Sequence, residues 1–298
     1  MPDQACFGGI ELGGTKTVVA IGDRFGAILL RRTVPTREPA AVVADAGAFF
    51  ATSERRIEAL GVGAFGPVVV DRKAPDFGHL LDTNKPGWSG FDLMGALAGT
   101  IAVPARLVTD VGAAAIGEAR LGALRGIDLG VYLTVGTGIG GAIVCHGELL
   151  PALLHPEMGH VSLNRRLDDR VPSQCSFHDS CAEGLVAGPA ILARFGQSLD
   201  RFEPGHPEFE LVAGYLGQLC GNLVLTLSPR RIVLGGGVGK APGLAEATRE
   251  AMARQLGNYV PREINRPDYI CAPGLGEDAG VIGAMLCAAS VQSASAKT

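Results

Sequence analysis

The sequence predicts an α/β protein built as a duplicated two-domain fold, and three observations carry that expectation. A strand, glycine turn, strand unit occupies residues 7–30, where FGGIEL and TVVAIG flank Gly13-Gly14-Thr15-Lys16. The same unit recurs over residues 131–150, with VYLTV and IGGAIVC on either side of Gly136-Thr137-Gly138. Strand-like runs alternate with helical patterns along the rest of the chain, the mark of α/β architecture. Two copies of one unit, about 120 residues apart, imply two domains of like topology.

Taken in order, a turn at Gly22-Asp23 leads from the second strand into a third, GAILLRRT. Residues 40–60 carry amphipathic helical spacing, and GVGAFG then reads as a strand. A Pro/Gly-rich loop over 67–90 precedes the strand ARLVTD, which ends at Asp110, and residues 113–124 read as a helix. A hinge is expected near residues 110–125. Beyond the second glycine unit and a Cys/His segment, residues 183–195 and 210–227 read as helices. Ser228-Pro229 opens the strand RIVLGGG, and 244–256 and 279–289 are further helices. The tail SVQSASAKT is small and polar and is expected to fray.

A chain of 298 residues, 47% of them apolar, can build one large or two medium domains around a real core. The start, MPDQACFGGIELGG, has neither a basic opening nor an unbroken apolar run, so it does not read as a signal peptide. No stretch reads as the roughly 20 apolar residues that span a bilayer. A cytoplasmic protein without a membrane partner is therefore expected, its seven cysteines reduced. A net charge of -4 argues against a nucleic-acid partner, which calls for a basic face. The informative excess is glycine: 43 residues, many beside Thr, suggest turns whose backbone approaches a ligand closely.

The segment HPEMGHVSLNRRLDDRVPSQCSFHDSCAEGLVAGP concentrates potential ligands. Cys175, His178 and Cys181 form C-x-x-H-x-x-C, with His160 fifteen residues before Cys175. Four N and S donors are the stoichiometry of a structural zinc site, closed to water. Ordinary thiols with exposed histidines, or a Cys175–Cys181 disulfide, are the alternatives. Glu157 and Glu183 flank this set, and a carboxylate accepting two hydrogen bonds suits vicinal hydroxyls, although a lone Glu is more often surface charge.

Gly13–Lys16, Gly136–Gly138 and Gly235-Gly236-Gly237 are turns whose successive N–H groups suit phosphate oxygens. A plain hairpin explains any one of them. No G-x-x-x-x-G-K-[ST] occurs, which excludes the P-loop class, and GGGVGKAPG lacks the strand–helix unit and acidic partner of a dinucleotide fingerprint. Asp110 reads either as an N-cap or as a general base at the carboxyl end of a strand, where α/β ligand clefts open. Lys85 and Trp88 sit in a Lys-Pro-Gly-Trp loop able to cover a small polar ligand; Trp88 equally suits a core.

These motifs in this order, GIELGGTK, TDVGAAAIGE, TVGTGIGG, HPEMGH, C-x-F-H-x-x-C-x-E-G and IVLGGGV, resemble the ROK family of bacterial sugar kinases and repressors from about residue 8 to 288. D-T-N-K-P-G-W, H-P-E-M-G-H and the Phe-His inside the cysteine pair resemble its fructokinase branch. The resemblance implies an actin-like (ribonuclease H-like) fold with ATP and Mg²⁺ in an interdomain cleft, a structural Zn²⁺ on His160, Cys175, His178 and Cys181, and a homodimer. It implies a small domain at 1–118 completed by a helix over 280–298, and a larger one at 119–279. Asp110 would be the base on the sugar hydroxyl, and Glu157, His160 and Glu183 would bind the sugar. Gly13, Gly14, Thr15 and Lys16 would meet the transferring phosphate, Gly136 and Thr137 the nucleotide phosphates, and Gly236 and Gly237 the adenosine side.

Gly112 stands where the family usually has Asn, and Asn84 where the branch commonly has Pro. The expected reaction is transfer of the γ-phosphoryl group of ATP to the 6-hydroxyl of D-fructose. Mannose, glucose or an N-acylated hexosamine is the alternative acceptor. A sugar-responsive repressor would need a helix-turn-helix ahead of Gly13, where only a dozen residues stand. A non-catalytic sugar-binding module would have no need of Asp110 and three glycine turns.

Overall fold

A computed structural model describes residues 5–152, 155–257 and 259–295. In chain order the elements are β1 (Cys6–Leu12), β2 (Lys16–Gly22), β3 (Ile28–Pro35), α1 (Pro39–Ala51), β4 (Ile57–Ala64), α2 (Leu93–Thr100), β5 (Ala105–Thr109) and α3 (Asp110–Leu121). They continue with β6 (Leu129–Val135), β7 (Ile139–Cys145), β8 (Glu148–Leu149), α4 (Ala182–Val186), α5 (Gly188–Phe195), α6 (Pro207–Leu227), β9 (Arg231–Gly235), α7 (Gly236–Gly239), α8 (Leu244–Leu256), β10 (Ile270–Cys271) and α9 (Ala279–Ser295).

The chain divides into two units. The first comprises Met1–Gly122, Pro151–His155 and Glu277–Thr298; the second, Ala123–Leu150 and Pro156–Gly276. The first break follows Gly122, not residue 118, because α3 runs on to Leu121 before its C-cap at Gly122.

The first unit holds a sheet in the order β3-β2-β1-β4-β5. Its β1–β2 and β2–β3 pairs are antiparallel, and β1–β4 and β4–β5 are parallel. The second unit repeats this as β8-β7-β6-β9-β10, with the same sense at each corresponding pair. The duplication thus extends from the two hairpins visible in the sequence to two complete five-stranded sheets.

Strand β4 is buried from Ala59 onward because it pairs on both edges and helices cover it, the setting in which a parallel strand becomes continuously apolar. Helix α9 packs on β1, β4 and α3. A Cβ at Gly61 would lie 1.8 Å from the Ala284 carbonyl oxygen, so only glycine lets the helix backbone settle onto the sheet there. Ile10, Leu12, Val62, Leu80, Trp88 and Leu93 belong to the core of the first unit, and Leu133, Leu185, Phe209, Leu216 and Ile232 to that of the second.

Several elements depart from expectation. The helix expected over 40–60 ends at Ala51, and Ile57–Ala64 is strand, because this apolar run is claimed by pairing with β1 and β5. The helix expected from 113 begins at Asp110. Residues 183–195 form two helices, broken at Ala187, whose ψ of 164° is extended. Helix α2 follows the Pro/Gly loop, its first turn capped by Asp92 accepting the Gly95 N–H at 2.8 Å. Gly235 leads straight into α7, so a short strand–helix unit does exist there. The frayed tail is replaced by helix up to Ser295, and the last three residues lie outside those described.

Among the described residues α6 is the one helix long and apolar enough to cross a membrane by length and composition. Its apolar side chains are used in packing: Phe209, Val212, Leu216 and Leu219 are at most 1% exposed in the core of the second unit.

Candidate active site and metal centre

In the second unit, His160, Cys175, His178 and Cys181 place one donor atom each within 4.8 Å of the others. His160 Nδ1 is 3.7 Å from both Cys175 Sγ and Cys181 Sγ, and His178 Nδ1 is 3.6 Å from Cys175 Sγ. Sulfur and nitrogen bound tetrahedrally to one zinc stand about 3.6 Å apart. The donor chemistry and spacing therefore fit Zn²⁺, and the two cysteines are not joined as a disulfide.

Local backbone bonds explain how residues so far apart in sequence converge. Leu163 N–H donates to the Ser180 carbonyl at 2.8 Å and Ala182 N–H to the Val161 carbonyl at 3.0 Å, tying the segment after His160 to Cys181. Ser173 Oγ donates to the His178 carbonyl at 2.7 Å and accepts the Cys175 N–H at 3.2 Å, closing the tight turn. The sulfurs accept N–H groups from Phe177 and Gly184, each at 3.4 Å. Burial pushes the Cys181 thiol up to about 11, so its thiolate needs a cation beside it. Behind this loop Asp169 pairs with Arg194, both side chains 2% exposed, and accepts Tyr215 Oη at 2.7 Å. Burial opposes ionisation of Asp169, but these bonds outweigh it and hold its carboxyl below the usual range.

Glu157 is exposed at the head of the short 3-10 turn Met158–His160, while His160 is half-buried. That turn lies directly on β7. A Cβ at Gly159 would be 2.1 Å from the Ile139 carbonyl oxygen, so the glycine of E-M-G-H is what permits the approach. From the other side Glu183 Oε2 accepts the Ile139 N–H at 2.9 Å. Glu183 therefore supports the Gly136–Gly138 turn in addition to flanking the Cys/His cluster.

The glycines expected to meet nucleotide gather in this unit. Gly136–Gly138 is the β6–β7 hairpin loop, with Gly136 N–H bonded to the Gly138 carbonyl at 2.9 Å and Thr137 exposed. Gly188 N–H, at the start of α5, donates to the Gly136 carbonyl at 2.7 Å. A Cβ at Gly136 would lie 3.8 Å from the Gly237 nitrogen. Gly236 has φ +84°, and a Cβ there would fall 2.4 Å from the Val135 carbonyl oxygen. Three backbone segments thus meet with almost no side chain between them, a surface on which a phosphate or a flat ring can lie.

In the first unit Gly13-Gly14-Thr15-Lys16 is also a hairpin loop, closed by Gly13 N–H on the Lys16 carbonyl at 3.1 Å. Lys85 joins it: Nζ donates to the Gly14 carbonyl, and it lies 5.7 Å from the centre of the Phe65 ring. Lys16 itself pairs with Glu277 at 3.1 Å in a largely solvated position.

Asp110 is the first residue of α3, at the carboxyl end of β5, and Thr109 is the cap. Thr109 Oγ1 accepts the Gly112 N–H at 3.0 Å, so the capping role considered for Asp110 belongs to its neighbour. Burial pushes the Asp110 carboxyl up to about 6, opposed by the Val111 N–H, which it accepts at 2.8 Å, and by His155.

Of the two places open to Trp88, it takes the core. It is 1% exposed, packs edge-to-face against Phe65 and Phe91, and donates Nε1–H to the Arg37 carbonyl at 2.9 Å, so it holds its loop from within the core. Sequence reasoning also passed over Glu11, His155 and Gly188. Glu11 is a half-buried carboxyl in β1, raised to about 7 by burial and by Asp110, with Oε2 enclosed and unpartnered. A charge within the apolar run GGIELGG was its only signal.

The chain matches the ROK family over residues 7–291. It is 36% identical to a fructokinase of Pediococcus pentosaceus across 94% of this chain and 96% of that protein. Among solved structures it resembles a ROK hexokinase from Thermus thermophilus, at 30% identity and TM-score 0.78 over 97% of this chain and 99% of that one. It also resembles a ROK family glucokinase from Streptomyces griseus in complex with glucose and AMPPNP, at 26% identity and TM-score 0.75 over 96% of this chain and 100% of that one. On sequence and on fold alike, the chain belongs to the ROK family.

Proposed function

We infer that the protein is an ATP-dependent hexose kinase, a fructokinase that converts D-fructose to D-fructose 6-phosphate. The observation that carries the chemistry is Asp110: a carboxyl at the end of a parallel strand whose proton affinity lies close enough to neutrality for it to accept a proton in turnover. The sugar oxygen forms a bond to the γ-phosphorus as the bond to the β-phosphate oxygen breaks. The hydroxyl proton passes to Asp110, and ADP leaves. MgATP is the co-substrate, its metal neutralising phosphate charge.

In the first unit, Gly13, Gly14, Thr15 and Lys16, with Lys85 against Gly14, meet the transferring phosphate. In the second, Gly136, Thr137, Gly236 and Gly237 hold nucleotide, supported by the bare backbone surface they form. Glu157 and His160 bind sugar hydroxyls; ligation through Nδ1 would leave His160 Nε2 for that bond. Glu183 supports the site through Ile139. A structural zinc on His160, Cys175, His178 and Cys181 would fix the orientation of this loop and, with four protein ligands, leave no position for water.

Fructose is favoured over other hexoses by the likeness to fructokinases. A coupled ADP assay over fructose, mannose, glucose and N-acetylmannosamine tests it: kcat/KM highest for fructose is expected, and preference for another sugar overturns that assignment. We further infer a cytoplasmic homodimer, tested by cell fractionation and by light scattering of the purified protein.

A further inference from the structure

We propose that His155 is a positioning residue of the phosphoryl-transfer centre: its imidazole, seated at the carboxyl end of β4, orients and electrostatically supports the Asp110 carboxylate. The placement is unusual for the chain. Pro151–His155 groups with the first unit although the residues on either side of it, up to Leu150 and from Pro156, belong to the second.

Two glycines mark the geometry. A Cβ at Gly66 would stand 3.2 Å from His155 Nε2, and a Cβ at Gly63, three residues earlier, would stand 3.4 Å from the Asp110 Cα. Ala64 is paired with Thr109, the residue before Asp110, so Gly66, the imidazole's neighbour, and Asp110 both lie just past the ends of adjacent parallel strands. Phe65 N–H donates to the Leu12 carbonyl at 2.8 Å, which ties this corner to the strand bearing Glu11. The charged group that bears on Asp110 is His155, which favours the ionised base. Glu11 from β1 is itself acted on by the Asp110 charge, which raises its proton affinity, and by Lys16 and Arg31, which lower it. An imidazole that stabilises the carboxylate keeps the base unprotonated at neutral pH and limits the directions in which it can turn.

The inference rests on the reading of Asp110 as the base, and the experiment separates the two. His155→Ala, His155→Gln and Gly66→Ala are compared with Asp110→Asn in pH profiles of kcat/KM, with and without added imidazole. His155→Ala is expected to lower kcat about tenfold and to move the acid limb to higher pH, with sugar KM little changed and imidazole restoring part of the rate. Gly66→Ala, which pushes on the ring, is expected to shift the limb the same way while leaving the imidazole in the protein. If Asp110→Asn is inactive and His155→Ala keeps the native rate and limb, the inference is overturned and the base assignment stands. A lower rate with an unmoved limb and no imidazole rescue overturns it equally, since that is a packing defect. A near-native Asp110→Asn enzyme instead removes the base assignment itself.

Discussion

Glu183 Oε2 accepts the backbone N–H of Ile139 at 2.9 Å, and the same isoleucine's carbonyl lies against Gly159. One residue of β7 is thereby held from both sides, by the helix that follows Cys181 and by the turn that carries Glu157 and His160. The Cys/His loop, the turn of Glu157 and His160 and the Gly136–Gly138 loop are one mechanical unit. Glu183→Ala leaves the Ile139 amide short of a charged acceptor, a loss on the order of 2 kcal/mol. It should lower the melting temperature and raise KM for ATP, whereas Glu183→Gln, which keeps an acceptor, should recover most of both.

Asp110→Asn should reduce kcat at least about 10²-fold, the low end for a positioned base, while calorimetry finds sugar affinity nearly intact. The native enzyme should lose kcat/KM as pH falls through about 6, where Asp110 takes up its proton. An acid limb that persists unchanged in the Asn variant would assign it to another group.

Glu11 makes stability depend on pH. Its folded-state proton affinity is raised, from 4.5 to about 7, so between those pH values the folded chain binds more protons than the unfolded one. Stability from this group is present below the unfolded value and is lost as pH rises through the folded one. Glu11→Gln should therefore raise the melting temperature at pH 8, by on the order of 3 kcal/mol of stability, and change it little at pH 4.5. Thermal scans at the two pH values decide the matter, and an equal shift at both would assign the effect to packing.

The Cys/His cluster was legible in the sequence because three of its four members lie within seven residues and the chemistry of Cys and His limits what they can do together. The hairpins were legible for the same local reason, glycine and threonine between two apolar runs. What escaped depends on tertiary neighbours. Residues 57–60 continue the helical spacing of 40–60, but pairing with β1 made them strand. Trp88 suited either a covering loop or the core, and Phe65, Phe91 and a carbonyl partner for its indole decide for the core. His155 gains meaning only from Gly66 and Asp110, residues distant in sequence.

Removing the metal should loosen this loop without unfolding the first unit. Prolonged chelation, or Cys175→Ser, is expected to lower thermal stability and sugar affinity together, since a zinc bound by four protein donors contributes folding energy directly. Elemental analysis of freshly purified protein should find about one zinc per chain. Protein devoid of zinc yet fully stable and active would defeat the assignment.

Neighbouring glycines separate backbone strain from contact with nucleotide. Gly236 has φ +84° and faces the Val135 carbonyl, so Gly236→Ala combines an unfavourable left-handed conformation, about 1–2 kcal/mol, with a clash against β6, and should lower the melting temperature. A Cβ at Gly237 meets nothing within 4 Å, and its φ is outside the left-handed range, so Gly237→Ala should leave the melting temperature unchanged. If adenosine lies on this backbone, the added methyl nevertheless occupies its place, and KM for ATP should rise while KM for sugar stays constant. A Gly237→Ala enzyme with native KM for ATP would move the nucleotide off this surface, whatever Gly236→Ala does to stability.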